Sequence, residues 1–304
     1  MKIGVDIGGS HIGIGLINEN GTIIAKEEKD IANRQKNESY GTILVQTIID
    51  LITTILEKSK MKIQDISLIG IAVPGTVSNT EIIKADNIHI KNFDIVSEIN
   101  KYFNIPVSLR NDAKCAAIAE KEHGGLKKYD DALFLVVGTG IGGAVFLNGN
   151  LLKPKKYEGF EIGHIVIEKD GLQCNCGRKG CFEKYASMKV FKDNIKNEFK
   201  LDDNVSGKEI KEFIEKNPEK SEKIIDEYIE NLSIGIANLI NIFEPEIVSI
   251  GGGFVYFKDI FLDKLTKKLN QGNLLFNPNN VPKIVAAKLK NDAGIIGSVI
   301  EYKN

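Results

Sequence analysis

The sequence predicts an α/β protein of two lobes, and three observations carry that prediction. Its 304 residues exceed what one hydrophobic core comfortably organises. Short apolar runs of strand type alternate with longer stretches of helical spacing. Apolar strands run into glycines near residues 8, 75, 138 and 251, and such strand-to-glycine turns are where α/β proteins make phosphate and ligand contacts.

Taken in order, residues 2–7, 11–18 and 22–29 read as three short strands, with Gly8-Gly9 and Asn20-Gly21 as turns between them. Residues 40–60 place Ile43, Leu44, Thr47, Ile48, Leu51, Ile52, Ile55 and Leu56 at helical spacing, which implies one buried face. An apolar strand at 67–73 ends at Pro74-Gly75. A helix at 94–103, a strand at 107–110 and a helix at 112–123 follow. A second β-rich stretch opens near Asp131, with strands at 133–137 and 144–147 flanking a glycine loop. Residues 184–268 are mostly helical, with one long helix about 221–243 that leads into a strand at 247–250 and then Gly251-Gly252-Gly253. A strand at 283–289 and a helix at 293–302 close the chain.

Composition excludes several classes. Lys+Arg 40 against Asp+Glu 41 leaves a net charge of −1, so no global field recruits nucleic acid or an anionic membrane. No run approaches the roughly 20 apolar residues of a membrane span, and the start, MKIGVDIGGS, breaks at Asp6 and does not read as a signal peptide. Few cysteines, most of them in one window, point to a reducing compartment and a cytoplasmic protein.

That window is the most specific signal. His164, Cys174, Cys176 and Cys181 offer one imidazole and three thiolates, a complete tetrahedral set for a structural Zn²⁺ with no position left open for catalysis. A zinc hydrolase would need such an open position. Glu161 and Glu183, one at each end of the segment, become candidates for positioned side chains. Asp6-Ile7-Gly8-Gly9-Ser10-His11 pairs an acid suited to Mg²⁺ with glycines and a hydroxyl suited to phosphate. Gly138-Thr139-Gly140-Ile141-Gly142-Gly143 satisfies GxGxxG, but a strand follows it where a dinucleotide fold requires a helix. It also lacks the lysine and HRD loop that a protein kinase needs. A glycine-rich hairpin like that of residues 6–11 remains, and two such hairpins suit a nucleotide's phosphates. Asp112, where a strand passes into a helix, is either the helix N-cap or a base for a substrate hydroxyl, and the two roles are compatible.

Together DIGGSH at 6–11, NDA at 111–113, GTGIGG at 138–143, EIGH at 161–164, CNCGRKGCFE at 174–183 and IGGG at 250–253 resemble the ROK family of glucokinases, N-acetylmannosamine kinases and sugar-responsive repressors. The resemblance implies an actin-like, hexokinase-type fold of two α/β lobes with ligands in the cleft between them. One lobe would comprise residues 1–112 with 291–304, and the other residues 113–290 with the zinc loop. It further implies ATP-dependent phosphorylation of a hexose hydroxyl. Asp112 would be the base, and Gly75, Asn87, Asn111, Glu161, His164 and Glu183 would bind the sugar. Asp6, Gly8, Gly9, Ser10, Gly138, Thr139 and Gly140 would hold Mg²⁺·ATP, with Gly252 and Gly253 near the adenosine and His164 also a zinc ligand. Relatives are commonly homodimers. The family's repressors carry a DNA-binding segment ahead of the first motif, whereas Asp6 stands almost at the start of this chain, so the expectation is an enzyme. KADNIHI around Asn87 differs from the APNLGW-like form of glucokinases, and it leaves glucose, N-acetylmannosamine and fructose as the candidate sugars, in that order.

Overall fold

The computed structural model describes residues 1–9, 11–31, 40–153, 160–271 and 274–302, and Asn87 by its backbone only. The chain divides into two compact units, Met1–Lys127 with Leu151–Gly159 and Asn291–Asn304, and Lys128–Asn150 with Phe160–Lys290.

The first unit is built on a five-stranded sheet, ordered β3-β2-β1-β4-β8, from β1 (Lys2–Ile7), β2 (His11–Ile17), β3 (Ile23–Asp30), β4 (Leu68–Val73) and β8 (Val107–Asn111). A small three-stranded sheet, β5 (Thr76–Val77), β6 (Ile82–Ala85) and β7 (Ile90–Phe93), lies between β4 and β8 in sequence. The first three strands of the main sheet are antiparallel, while β4 and β8 run parallel to β1. Side chains alternate across each strand, so Ile3, Val5 and Ile7 of β1 point to one face with Ile12, Ile14 and Leu16 of β2. That face buries α1 (Tyr40–Lys58), whose Leu44, Ile48, Ile52 and Ile55 are at most 2% exposed. Each such side chain contributes about 1.5–3 kcal/mol on burial. Among the described residues α1 is the one helix long and apolar enough to cross a membrane, and its apolar face is spent on this core.

The opposite face carries a row of small residues in register, Gly15, Gly4, Gly70 and Ser108 across β2, β1, β4 and β8. Over it lies the final helix, α9 (Ala293–Ser298), so close that a Cβ on Gly4 would stand 2.1 Å from Ile295 O and one on Gly70 2.2 Å from Ser298 O. The expected helix at 293–302 ends four residues early, at Ser298. α9 also packs on α3 (Asp112–Glu122), where a Cβ on Gly297 would meet the Cys115 carbonyl. This packing places α3 in the first unit, whereas the sequence reading began the second lobe at residue 113. α2 (Ile95–Asn100) is capped by Asp94.

The second unit repeats the topology: a five-stranded sheet ordered β11-β10-β9-β12-β13, from β9 (Ala132–Val137), β10 (Ile141–Leu147), β11 (Asn150–Leu151), β12 (Ile247–Gly251) and β13 (Lys283–Ala286). Again a hairpin opens the sheet, and β12 and β13 run parallel to β9. Ile141–Gly143, expected in the loop, are strand, and the loop shrinks to residues 138–140. The helices are α4 (Glu183–Ala186), α5 (Met188–Phe199), α6 (Gly207–Lys216), α7 (Pro218–Phe243) and α8 (Lys258–Gln271). Phe191, Tyr228, Phe254, Phe257 and Phe261 form an aromatic core between α5, α7, α8 and the turn after β12.

Candidate functional site

In the first unit the candidate residues gather where parallel strands end. β1, β4 and β8 are parallel neighbours, so Asp6 with Gly8-Gly9, Gly75, and Asn111-Asp112 emerge at one edge of the sheet. The β1–β2 hairpin is closed by Gly8 N–H donating to His11 O (2.9 Å). Asn111 is the N-cap of α3: its Oδ1 accepts from Lys114 N–H (3.2 Å), while Nδ2 donates to Gly75 O (2.9 Å). Gly75 has φ +91, and a Cβ there would stand 2.2 Å from Lys84 O. The cap reading of Asp112 therefore passes to Asn111, and Asp112 takes the first helical position, half-buried, its Oδ1 accepting its neighbour Ala113's N–H (2.7 Å).

Asp6 is held against the first turn of α9, with its Oδ2 2.5 Å from where a Gly294 Cβ would lie. Its pKa is raised from 3.8 to about 7, by burial first and by the negative charge of Asp112 second, with Lys26 opposing. Lys26 is shared with Glu28 and Asp292. Two carboxylates that repel one another at a strand edge make a place for a divalent cation.

In the second unit the hairpin Gly138–Gly140 and Gly252-Gly253 also emerge together, because β9 and β12 are parallel; a Cβ on Gly252 would stand 2.7 Å from Val137 O. Thr139 is exposed at the hairpin tip. Glu161 is exposed just before the turn Ile162–His164, whose Gly163 would touch Ile141 O at 2.1 Å if it bore a Cβ. Glu183 opens α4 and accepts the Ile141 N–H at Oε2 (2.9 Å).

His164, Cys174, Cys176 and Cys181 converge, with all four donor atoms within 4.8 Å of one another. Cys174 Sγ lies 3.7 Å from His164 Nδ1 and Cys176 Sγ 3.6 Å from Cys181 Sγ. Ligands about 2.3 Å from a tetrahedral zinc stand about 3.8 Å apart, so the donor set fits the ion. The four cysteines form no disulfide. Arg178 N–H groups draw the Cys176 thiol down to about 6, as a metal-ready thiolate requires, whereas burial pushes Cys181 up. Nδ1 faces the sulfurs, which leaves Nε2 for a ligand. Two residues absent from the sequence reading complete the loop: Arg178 donates to His164 O, and Tyr185 OH accepts Leu172 N–H (2.6 Å). A cation inside a three-thiolate loop was the available signal for Arg178; Tyr185 had none. Ser10 and the side chain of Asn87 lie outside the described residues; the Asn87 backbone sits in the turn Asp86–Ile88 between β6 and β7.

Comparison with known proteins gives this arrangement its place. Thermotoga maritima glucokinase is 30% identical over 313 residues, covering 97% of this chain and 95% of that protein. The xylose repressor of Caldicellulosiruptor bescii is 31% identical over 310 residues, covering 98% of this chain and 76% of that protein. The crystal structure of a ROK family glucokinase from Streptomyces griseus, in complex with glucose and AMPPNP, superposes with a TM-score of 0.84 at 26% identity, covering 98% of this chain and 97% of that one. Sugar kinases of this family share the two-lobed actin-like fold, and the repeated sheet topology of the two units agrees with it. With residues 2–304 matching it from the first strand to the last helix, the chain belongs to the ROK family.

Proposed function

We propose that this chain transfers the γ-phosphoryl group of ATP to a hexose hydroxyl, with glucose the first candidate sugar, N-acetylmannosamine the second and fructose the third. The observation that carries the reading is the Asp6–Asp112 pair. Raising a carboxylate to about 7 beside a second acid disfavours the folded protein. A protein that only senses sugar gains nothing from that repulsion, whereas a phosphotransferase relieves it with the Mg²⁺ that accompanies ATP.

In this reading Asp112 accepts the proton of the sugar hydroxyl as its oxygen attacks the γ-phosphorus. Its place at the first position of α3, fixed by the Asn111 cap, aims the carboxylate without spending it on capping. Asp6 holds Mg²⁺ or its waters. The glycines at 8–9 and 138–140 bring backbone N–H groups to the phosphates, with Ser10 and Thr139 as hydroxyl donors and Gly252-Gly253 beside the adenosine. Glu161, Glu183 and His164 Nε2 take sugar hydroxyls, joined by Gly75, Asn87 and Asn111. A bound zinc supplies structural cross-linking of the loop and no reaction chemistry.

Identity to the xylose repressor favours a second reading, a sugar-responsive regulator. A coupled ADP-release assay over glucose, N-acetylmannosamine, N-acetylglucosamine, mannose and fructose separates the two. Sugar-dependent ADP release at turnover above 1 s⁻¹, the ordinary range of enzymes, is expected for one of them (about 1–10³ s⁻¹). Sugar binding by calorimetry without ADP release would favour the regulator.

A further inference from the structure

Glu183 is a tightly tethered candidate sugar ligand. It follows Cys181 by two residues, and Phe182 between them is fully buried, its ring pressed on α7 where a Cβ on Gly235 would stand 2.2 Å away. Lys184 N–H donates to Cys181 O (2.9 Å) and Tyr185 N–H to Phe182 O (3.0 Å), which fixes the turn; the Tyr185 hydroxyl then holds Leu172 of the metal loop to the same turn. The carboxylate at the end of this tether does not point simply outward. Oε2 accepts the Ile141 N–H at 2.9 Å and lies 2.2 Å from where a Gly140 Cβ would be, while Oε1 stands 3.7 Å from that point.

Ile141 is the first residue of β10 after the glycine hairpin's tip, and few bonds order that tip. Gly138 N–H closes it on Gly140 O (2.9 Å), Lys189 N–H donates to Gly138 O (3.3 Å), and Gly138 has nothing within 4 Å of a would-be Cβ. Ile141 is gripped from both sides by segments that flank the metal ligands. Glu183, just after Cys181, holds its N–H, and the turn ending in His164 packs on its carbonyl, which only Gly163 permits at this approach.

We propose that Glu183 is a positioning residue that joins the metal loop to the nucleotide's phosphate hairpin: Oε2 sets the hairpin through the Ile141 N–H, and Oε1 is the atom left to accept a sugar hydroxyl. One carboxylate then serves both substrates. Sugar bound at Oε1 stiffens the group that orders the hairpin, so sugar and nucleotide raise one another's affinity by the same factor. The inference rests on the phosphotransferase reading, but it assigns to Glu183 a role that a sugar ligand alone would not have.

The test titrates Mg²⁺ and a fluorescent N-methylanthraniloyl-ADP into the full, zinc-loaded chain with no sugar present. Glu183→Ala should weaken nucleotide binding roughly tenfold, as loss of a charge-assisted hydrogen bond predicts. Glu183→Gln keeps an oxygen that accepts the Ile141 N–H and should stay within about threefold of the original chain, the size of change expected when a neutral acceptor replaces a charged one. Equal nucleotide affinity in the original chain and Glu183→Ala overturns the proposal and leaves the kinase reading standing. An original chain that binds no nucleotide sinks both. Hydrogen exchange of the Ile141 amide, followed in the unmutated protein before and after chelation, covers the case in which Glu183→Ala fails to fold. Faster exchange after chelation supports the link, and unchanged exchange overturns it.

Discussion

Asp112 shows how much of a residue's chemistry is decided by the identity of its neighbour. Had Asp112 been the N-cap, its carboxylate would turn to the Lys114 N–H; as it is, one oxygen accepts the Ala113 N–H and the Lys114 N–H is left to Asn111. Asn111 takes that duty, with Lys114 N–H on one side of its amide and Gly75 O on the other. Asp112→Asn preserves the shape of the helix start and removes the carboxylate proposed as the proton acceptor. It should keep sugar and nucleotide affinity and lose about 10²–10⁴-fold in kcat, the range general-base catalysis supplies; a kcat near the original value in steady-state assays would refute the base assignment. Asp6 yields a prediction of opposite kind, in which a substitution stabilises. Its folded-state pKa of about 7 lies above the ordinary 3.8, so the native state binds the extra proton. Stability is full below pH 4 and falls as pH rises through 7, so the metal-free Asp6→Asn variant should be the more stable at pH 8 and the difference should vanish near pH 4. At about 1.4 kcal/mol per pKa unit, the gain is on the order of a few kcal/mol. Thermal unfolding across pH reads it, and a flat difference between the two proteins would contradict it. The candidate residues themselves were legible in the sequence because each sits in a short motif. Their division of labour was not: whether Asn111 or Asp112 caps, and that Glu183 reaches Ile141 42 residues away in sequence, depend on contacts that no local pattern encodes.

At the scale of elements, what the sequence states well is periodicity. The strands at 2–7, 11–17 and 23–30 and the helix from Tyr40 lie within a residue or two of where alternation and helical spacing put them. The three strands between Thr76 and Phe93 went unread because strands of two and four residues are too short to display a period. The glycine-rich row Gly15-Gly4-Gly70 was legible only as turn-prone residues inside strands, yet its purpose is close approach. α9 lies on it backbone to backbone, and α9 in turn supports α3 and hence Asp112. Gly70→Ala would force a methyl group to 2.2 Å from Ser298 O, and a backbone atom cannot swing aside. The expected cost is about 2–3 kcal/mol in denaturant unfolding, at the upper part of the range for overpacking. Gly138→Ala is the contrast, since nothing lies within 4 Å of its added Cβ. Stability there should hold within about 0.5 kcal/mol, while nucleotide affinity should fall if the hairpin holds phosphate as proposed, because the methyl group would occupy that space. A Gly70→Ala protein as stable as the original would mean that α9 is free to lift.

For the whole molecule, the relevant fact is that two units with the same strand order are stabilised by different means. The first has a large aliphatic core on the α1 face of its sheet and a glycine-seated helix on the other. The second adds to its aromatic core a loop whose four metal donors lie between His164 and Cys181 and whose flanks grip Ile141. All four candidate donors belong to the second unit, so a metal held there, and its removal, should act on that unit. Chelation leaves three thiols and an imidazole crowded within 4.8 Å without the ion that justifies the arrangement. The loop should loosen, and the helix start at Glu183 with it. Calorimetry of the zinc-loaded and chelated protein provides the measurement. The unfolding transition of the second unit should fall by about 3 °C for each kcal/mol lost, while that of the first unit stays in place, so one endotherm becomes two. Restoring Zn²⁺ should merge them again, and Cys176→Ser should reproduce the split without a chelator. If both units move down together, the metal supports more than its own unit; if neither moves, the Cys₃His cluster is a reduced thiol cluster and its structural role is withdrawn.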